Sequence, residues 1–181
     1  TQDGRALMPV VTLEEALKPT ATELASMLQR IMGANFTVET KVVPRCILLS
    51  LSPATTPITA REDYSIRSEK DRLVIIGNSP QAVEHAVWDL LHRLGYRQFF
   101  PGKTWEVVPH QPSMSIDIDV TESPDYHSRR IWAGFGYLKE READCEQWNR
   151  RNRATSGITL STGHAYDGIM KRHEAEFEKH P

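Results

Sequence analysis

The chain has 181 residues, of which 39% are hydrophobic and 25% are charged, enough for a packed core in one domain or one domain and part of another. Its 22 Lys and Arg nearly balance its 24 Asp and Glu, so the net charge of −2 gives no overall case for binding nucleic acid or an anionic membrane. No apolar run approaches the ~20 residues of a membrane span, and we expect no signal peptide because the first residues lack a basic segment followed by an apolar one. Nothing in the composition predicts an oligomeric state.

The first third of the chain predicts a strand, a helix and two further strands. Residues 6–12 are apolar and β-branched, which is typical of a strand. A helix is expected from Pro19, which suits a first turn, to Gly33, which suits the position after a helix. Residues 36–40 and 45–51 follow as strands. The apolar positions of the helix recur every three or four residues and are Leu17, Ala21, Leu24, Leu28 and Ile31.

The middle of the chain predicts two strands and the clearest helix. Residues 63–69 alternate polar and apolar, as a half-buried strand does, and residues 71–78 read as a central strand. Ser79 is a suitable N-cap for the helix that follows, and Gly95 a suitable stop.

Short strands are then expected at 96–100, 105–109 and 113–120. In the first of them we expect Phe99 and Phe100 to anchor the segment against the sheet. Together these elements predict an α+β fold of two layers, in which two main helices cover a mixed sheet.

The character of the chain changes near residue 123, so we place a domain at 1–122 and a second, incomplete one at 123–181. A strand at 130–136, a polar helix at 141–154 and a charged helix at 169–181 are expected in the second part. These residues contain too few apolar groups to build a core of their own. The basic run within the polar helix is expected to be a solvated or salt-bridged helix face.

Cysteine and histidine spacing predicts no metal, no cofactor and no disulfide. Cys46 lies in an apolar run and is expected to be buried, whereas Cys145 lies in the polar helix. His85 and His92 share a helix face but have no evident third ligand, so we expect them at the surface or an interface.

Four short motifs resemble a known group of proteins. They are the stretch Gly-Tyr-Arg-Gln-Phe-Phe-Pro-Gly at 95–102, the Trp-Asn-Arg-Arg-Asn segment at 148–152, a Gly-His at 163–164 and a His-Pro at 180–181. Together they resemble the N-terminal accessory domain, and the start of the catalytic barrel, of bacterial glycoside-hydrolase-like proteins of the domain of unknown function 4838 type. α-Glucuronidases and family 20 β-hexosaminidases have a similar layout.

The resemblance implies a non-catalytic domain followed by the first segment of a (β/α)8 barrel, in a carbohydrate-active enzyme of the bacterial cell exterior or periplasm. Carbohydrate is the partner that it implies. Glycoside cleavage needs two carboxyl groups delivered by separate strands of a complete barrel. We therefore expect this chain alone to hydrolyse no glycoside.

Three residues are candidates for contact with a sugar. In family 20 enzymes an Arg five residues after a Pro binds hydroxyls of the terminal sugar, and the resemblance places Arg129 after Pro124 in that role, with Arg130 as the neighbouring alternative. A guanidinium suits the task because it can bind two oxygens side by side. Trp132 could line the same pocket or pack against barrel elements, and His164 could be a ligand-binding or a solvated loop residue.

Two other classes of function remain open. The chain could be a stand-alone module that binds carbohydrate or protein, with Trp88 or Trp105 as a platform on which a sugar stacks. Trp88 is nevertheless expected in the core or at a domain interface, because it lies on the clearest helix. A complete small hydrolase is disfavoured, because no nucleophile with an adjacent base is recognisable.

Overall fold

The computed structural model describes residues 6–52, 62–129, 131, 139–155 and 166–179. Six strands form the main sheet: β1 Val10–Thr12, β2 Val38–Glu39, β3 Cys46–Leu51, β4 Tyr64–Ser68, β5 Arg72–Gly77 and β8 Asp119–Glu122. Their order across the sheet is β2-β1-β3-β5-β4-β8. A separate ribbon pairs β6 Arg97–Gln98 with β7 Glu106–Val107.

The main sheet is parallel on one side and antiparallel on the other. β1 pairs in parallel with both β2 and β3, and β3 with β5, whereas β4 runs antiparallel to β5 and to β8. A register of Leu49 opposite Ile75 and Ile75 opposite Ile66 places three fully buried side chains in a row. The predicted α+β fold with a mixed sheet is thus confirmed.

Two long helices cover the sheet, α1 at Lys18–Met32 and α2 at Pro80–Arg93. α1 ends at Gly33, whose φ of +69° lies in the left-handed region that favours glycine. In α2 the Ser79 side chain accepts a hydrogen bond from the Ala82 backbone nitrogen, as an N-cap does. Both helices therefore begin and end within a residue or two of the positions that their sequences predict.

β5 approaches the start of α2 so closely that residue 77 has no room for a side chain. A Cβ on Gly77 would lie 2.6 Å from the Val83 backbone nitrogen and 2.8 Å from the Ala82 Cβ. We expect Gly77→Ala to lower the free energy of unfolding by about 1–3 kcal/mol, because backbone must move to admit the methyl group. Urea denaturation measures the loss.

Gly168→Ala is the matched control for that substitution. A Cβ on Gly168 would meet only the flexible end of Arg172, at 3.5 Å. Because alanine favours helix over glycine, this variant is expected to be neutral or stabilised by up to about 1 kcal/mol. Equal losses in the two variants would contradict the steric account.

The β6–β7 ribbon buries different residues from those predicted. Tyr96 and Gln98 point inward and are almost fully buried, whereas Phe99 and Phe100 are more than half exposed. Side chains alternate along an extended segment, so burying Tyr96 and Gln98 sends Phe99 outward. The prediction that Phe99 and Phe100 anchor the ribbon is therefore wrong.

The third helix, α3 at Glu142–Arg151, packs on α2, where the sequence predicts a polar helix. The predicted charged helix at the end of the chain is instead two short ones, α4 at Tyr166–Arg172 and α5 at Glu174–Phe177, interrupted at His173. The predicted strand at 130–136 lies outside the described residues except for Ile131. None of the helices in the described ranges is both long and apolar enough to cross a membrane.

The alternating segment 113–120 contributes only its end to the ladder, as part of β8. Met114, Ile116 and Ile118 still pack against the core at every second position. The alternation thus correctly predicts which side chains turn inward, although it overestimates the length of the strand.

Candidate functional site

A cleft of about 530 Å³ opens between the β4–β8 edge of the sheet, α2 and the C-terminal end of α3. Its size is in the range of small-molecule sites. Acidic and basic side chains, neutral polar groups and an exposed aromatic ring form its walls. The lining residues include Glu62, Tyr64, His85, Glu122, Asp125, Tyr126, Arg129, Ile131, Asn152 and Arg153.

Arg129 lies in this cleft, but its guanidinium is engaged on three sides by the protein. Its Nε donates to the Arg153 carbonyl at 3.1 Å, its Nη1 donates to the Tyr126 carbonyl at 2.7 Å, and its Nη2 forms an ion pair with Glu62. The Arg129 backbone nitrogen also donates to the Thr155 carbonyl at 2.8 Å. These bonds fasten the segment after β8 to the segment after α3.

His85 lies beneath this arrangement and is neutral near pH 7. It is 4% exposed, because the segment after β8 and the end of α3 pack over it, so of the two predicted positions it occupies an interface and not the surface. Burial, reinforced by the positive charges of Arg129 and Arg153, lowers the pKa of His85 to about 4. The Glu62 Oε2 lies 3.3 Å from its Nδ1 and suits a neutral ring that donates there, because the Arg129 guanidinium already pairs with that carboxylate.

His85 gives the fold a predictable dependence on pH. Because its pKa is about 4 in the folded state against 6.5 for a free histidine, the unfolded chain takes up a proton first as the pH falls. His85 therefore contributes up to about 3 kcal/mol to the free energy of unfolding. This contribution is complete above pH 6.5 and is lost as the pH falls from 6.5 to 4. Denaturant unfolding between pH 7 and 4.5 measures the slope.

His85→Gln is expected to flatten this slope, and the same change at the exposed His110 is expected to leave it intact. Some slope will persist in His85→Gln, because burial also lowers the pKa of His92 to about 4. A wild-type free energy of unfolding that stays constant over this range would contradict the prediction.

Arg153 adopts the only left-handed backbone conformation among the non-glycine residues that the structure describes, with φ of +57°. It stands just after α3, where glycine is the usual residue. Its Nη1 donates to the Tyr64 hydroxyl at 3.0 Å and to the Asp89 Oδ1 at 3.1 Å. The side chain thereby ties the end of α3 to β4 and α2.

A second polar cluster joins α3 to the β6–β7 ribbon. Arg151 is 9% exposed, and its Nη1 donates to the Tyr96 hydroxyl, the Gln98 Oε1 and the Glu106 Oε1 at 2.9, 3.1 and 2.8 Å. Its guanidinium also lies 5.1 Å from the centre of the Trp88 ring, close enough for a cation–π contact.

Glu106 is the anion of this cluster. Arg30 binds both of its carboxylate oxygens, at 2.9 and 2.6 Å, and Tyr96 donates to its Oε1 at 2.9 Å. The Arg30 hydrogen bonds, helped by those of Tyr96 and by the charge of Arg151, outweigh burial and lower the pKa of Glu106 to about 2. The carboxylate is therefore ionised at any physiological pH.

Of the three predicted sugar-contact residues, the structure describes one. Arg129 lines the cleft, whereas Trp132 and His164 lie outside the described residues, so their roles stay predictions. The predictions for Trp88 and the basic run are confirmed: Trp88 is fully buried, and Arg150 pairs with Glu23 and Glu84.

Sequence reasoning did not identify Glu62, Glu106 or Arg153 as site residues. The arginines that pair with Glu62 and Glu106, and the Tyr64 and Asp89 groups that Arg153 binds, are 45 to 89 positions away in the chain, so no local pattern indicates these pairings.

No metal site is indicated within the ranges that the structure describes, because no three histidine, cysteine or carboxylate groups converge there. Cys46 and Cys145 are both buried and both free.

No known protein family matches this sequence, and no curated protein matches it either. Among solved structures, a GH20 β-N-acetylhexosaminidase from Streptomyces coelicolor superposes with a TM-score of 0.50 at 17% identity, over 70% of this chain and 26% of that one. A GH115 4-O-methyl-α-glucuronidase with specificity for decorated arabinogalactans gives a TM-score of 0.55 at 15% identity, over 83% of this chain and 25% of that one.

The chain shares the fold of one part of each of these two glycoside hydrolases. It spans about a quarter of the length of each of these two enzymes. At such low identity the likeness establishes the fold, and it assigns neither a substrate nor a catalytic residue.

Proposed function

We propose that residues 1–122 are a non-catalytic accessory domain of a carbohydrate-active enzyme and that residues 123–181 begin its barrel. The observation that carries the proposal is that two of the three carboxylates lining the cleft are in ion pairs. Glu62 pairs with Arg129, and the Glu122 Oε1 lies 3.3 Å from the Arg93 Nη2. Neither is placed as the acid or base of a hydrolytic pair.

Burial raises the pKa of the Glu23 carboxyl, as an acid catalyst requires, but this residue lies away from the cleft. Glu23 faces Arg150 at the contact between α1 and α3 and does not line the cleft. The glycoside-hydrolase-like fold, spanning about a quarter of two such enzymes, supports a domain that serves a larger catalytic unit.

In this proposal Arg129, Trp132 and His164 belong to one edge of a sugar pocket that the rest of the barrel completes. The resemblance of the sequence supports a bacterial extracellular or periplasmic setting.

The purified chain should release no nitrophenol from a panel of aryl α- and β-glycosides, including glucuronides and N-acetylglucosaminides. The longer polypeptide from the same reading frame should release it, and deletion of residues 1–122 should reduce its soluble yield. Turnover by the chain alone would overturn the proposal, as would a longer polypeptide that folds equally well without this domain.

The alternative is a stand-alone module that binds carbohydrate or protein, and one observation favours it. The Phe100 and Trp105 rings pack 5.1 Å apart on the β6–β7 ribbon, and both are more than half exposed. Such a surface can stack on a sugar ring or on a protein partner. Glycan-array binding that Trp105→Ala abolishes and Arg129→Gln leaves intact would favour the module over the accessory domain.

A further inference from the structure

Arg153 has more unused donors in the cleft than Arg129. A guanidinium has five N–H groups, and among the described residues Arg129 donates three side-chain hydrogen bonds whereas Arg153 donates two. Arg129 uses nitrogen atoms on all three branches of its guanidinium to bind the Arg153 carbonyl, the Tyr126 carbonyl and Glu62. Arg153 uses only Nη1, and within the described residues its Nε and Nη2 have no hydrogen-bond partner. The side chain is 36% exposed and lines the cleft, so these donors are within reach of a ligand.

The backbone at residue 153 supports a role for this side chain. A left-handed φ costs an ordinary residue about 1 kcal/mol or more relative to glycine. Glycine would fit the position after α3 without that cost. The interactions of its guanidinium are the best explanation for an arginine with φ of +57° at this position.

The charges around Arg153 decide which kind of ligand suits the cleft. The lining carries two guanidiniums, from Arg129 and Arg153, against three carboxylates, from Glu62, Glu122 and Asp125. An anion would therefore meet no net positive charge. Donors and acceptors interspersed in this way match hydroxyl groups, which both donate and accept.

Two further features suit a sugar ring. The Tyr126 side chain is 72% exposed at the cleft, so its aromatic face is open to stacking. Both contacts that Glu62 makes within the described residues go to its Oε2, which leaves Oε1 as an acceptor.

We propose that this cleft binds an uncharged sugar ring, with Arg153 as the donor to its hydroxyls, Glu62 as an acceptor and Tyr126 as the stacking surface. Arg129 holds the walls of the cleft together through its bonds to residues 126 and 153. This inference rests on the proposed function for the carbohydrate class of the ligand, and it adds a site within the chain itself.

Saturation-transfer NMR and calorimetry on the purified chain test the site with five probes: N-acetylglucosamine, galactose, xylose, glucuronate and inorganic phosphate. At least one of the three neutral sugars is expected to bind with a Kd of about 1 mM, as a single small ring does. Arg153→Gln should weaken it at least about tenfold, since a charged donor to the sugar is lost. Arg67→Gln, which removes an exposed arginine paired with Asp119, should leave it unchanged.

Arg153→Gly guards against misfolding, because it removes the same guanidinium while relaxing the backbone. It should lose binding while keeping a cooperative thermal transition. Tighter binding of glucuronate or phosphate than of any neutral sugar would overturn the ligand class. Binding of no probe, or undiminished binding by both Arg153 variants, would overturn the site.

The proposed sugar site and the proposed function can fail separately. Aryl-glycoside turnover by the isolated chain would defeat the accessory-domain proposal whatever the sugars do. A lack of sugar binding, in a chain that also shows no turnover, would defeat only the cleft.

Discussion

Replacing Glu106 with glutamine is expected to lower the free energy of unfolding by about 3 kcal/mol, within the 3–5 kcal/mol typical of breaking a buried ion pair. Its side chain is 7% exposed and receives bonds from Arg30, Tyr96 and Arg151. Glutamine keeps the shape but loses the charge, which leaves the buried Arg151 guanidinium with only the more distant Glu23 carboxylate, 3.9 Å from its Nε. Urea denaturation at pH 7 measures the loss.

The low pKa of Glu106, which results from the same bonds, corresponds to a free energy of similar magnitude. A carboxyl whose pKa falls from 4.5 to about 2 on folding contributes about 3 kcal/mol above pH 4.5, and the contribution is lost as the pH falls through 2. The matched control is Glu122→Gln, in which a half-exposed carboxylate loses its Arg93 partner. In that variant the free energy of unfolding should fall by less than about 1 kcal/mol. Equal losses in the two variants would show that burial of the cluster has no energetic consequence.

Replacing Trp88 with alanine is expected to cost about 3–5 kcal/mol, as truncation of a large buried aromatic residue does. The ring is fully buried in α2, packs 5.4 Å from the Tyr96 ring and lies beneath the Arg151 guanidinium. The cavity would lie where α2, the β6–β7 ribbon and α3 meet. Alanine should therefore weaken the docking of α3 as well as the core, which hydrogen exchange of the α3 amides would detect.

Trp88→Phe separates these contributions. Phenylalanine keeps an aromatic face for Arg151 and removes the indole nitrogen, which is buried and has no hydrogen-bond partner within the described residues. We expect this variant to lose about 1 kcal/mol, since some volume is lost while an unpaired buried donor is removed. A loss within 1 kcal/mol of that of Trp88→Ala would contradict the predicted importance of the ring over Arg151.

The elements whose signals are local agree well with their predictions. α2 begins after Ser79 and ends just before Gly95, because capping and the left-handed stop depend on neighbours within a few residues. β3 and β5 also lie where their apolar runs predict them. The inward alternation of residues 114, 116 and 118 belongs to the same class, because it follows from the geometry of an extended chain.

The predictions that depended on which surface another element covers were less successful. Phe99 and Phe100 are the more apolar pair, yet Tyr96 and Gln98 are buried because their polar atoms bind Arg151, which is more than 50 residues later in the chain. For His85 the sequence left a surface and an interface position open, and the structure selects the interface, since the segment after β8 and the end of α3 cover it.

The sequence by itself determined the helices, their ends, the main strands and hence the α+β class, because periodicity and capping act over a few residues. Only the tertiary structure decided that Glu106 binds both Arg30 and Arg151, and that Arg153 has more unused donors in the cleft than Arg129 within the part of the chain that the structure describes. Such pairings depend on charged residues that are distant in the chain and that the packing of α3 brings together. Neither the spacing nor the identity of the arginines predicts that packing.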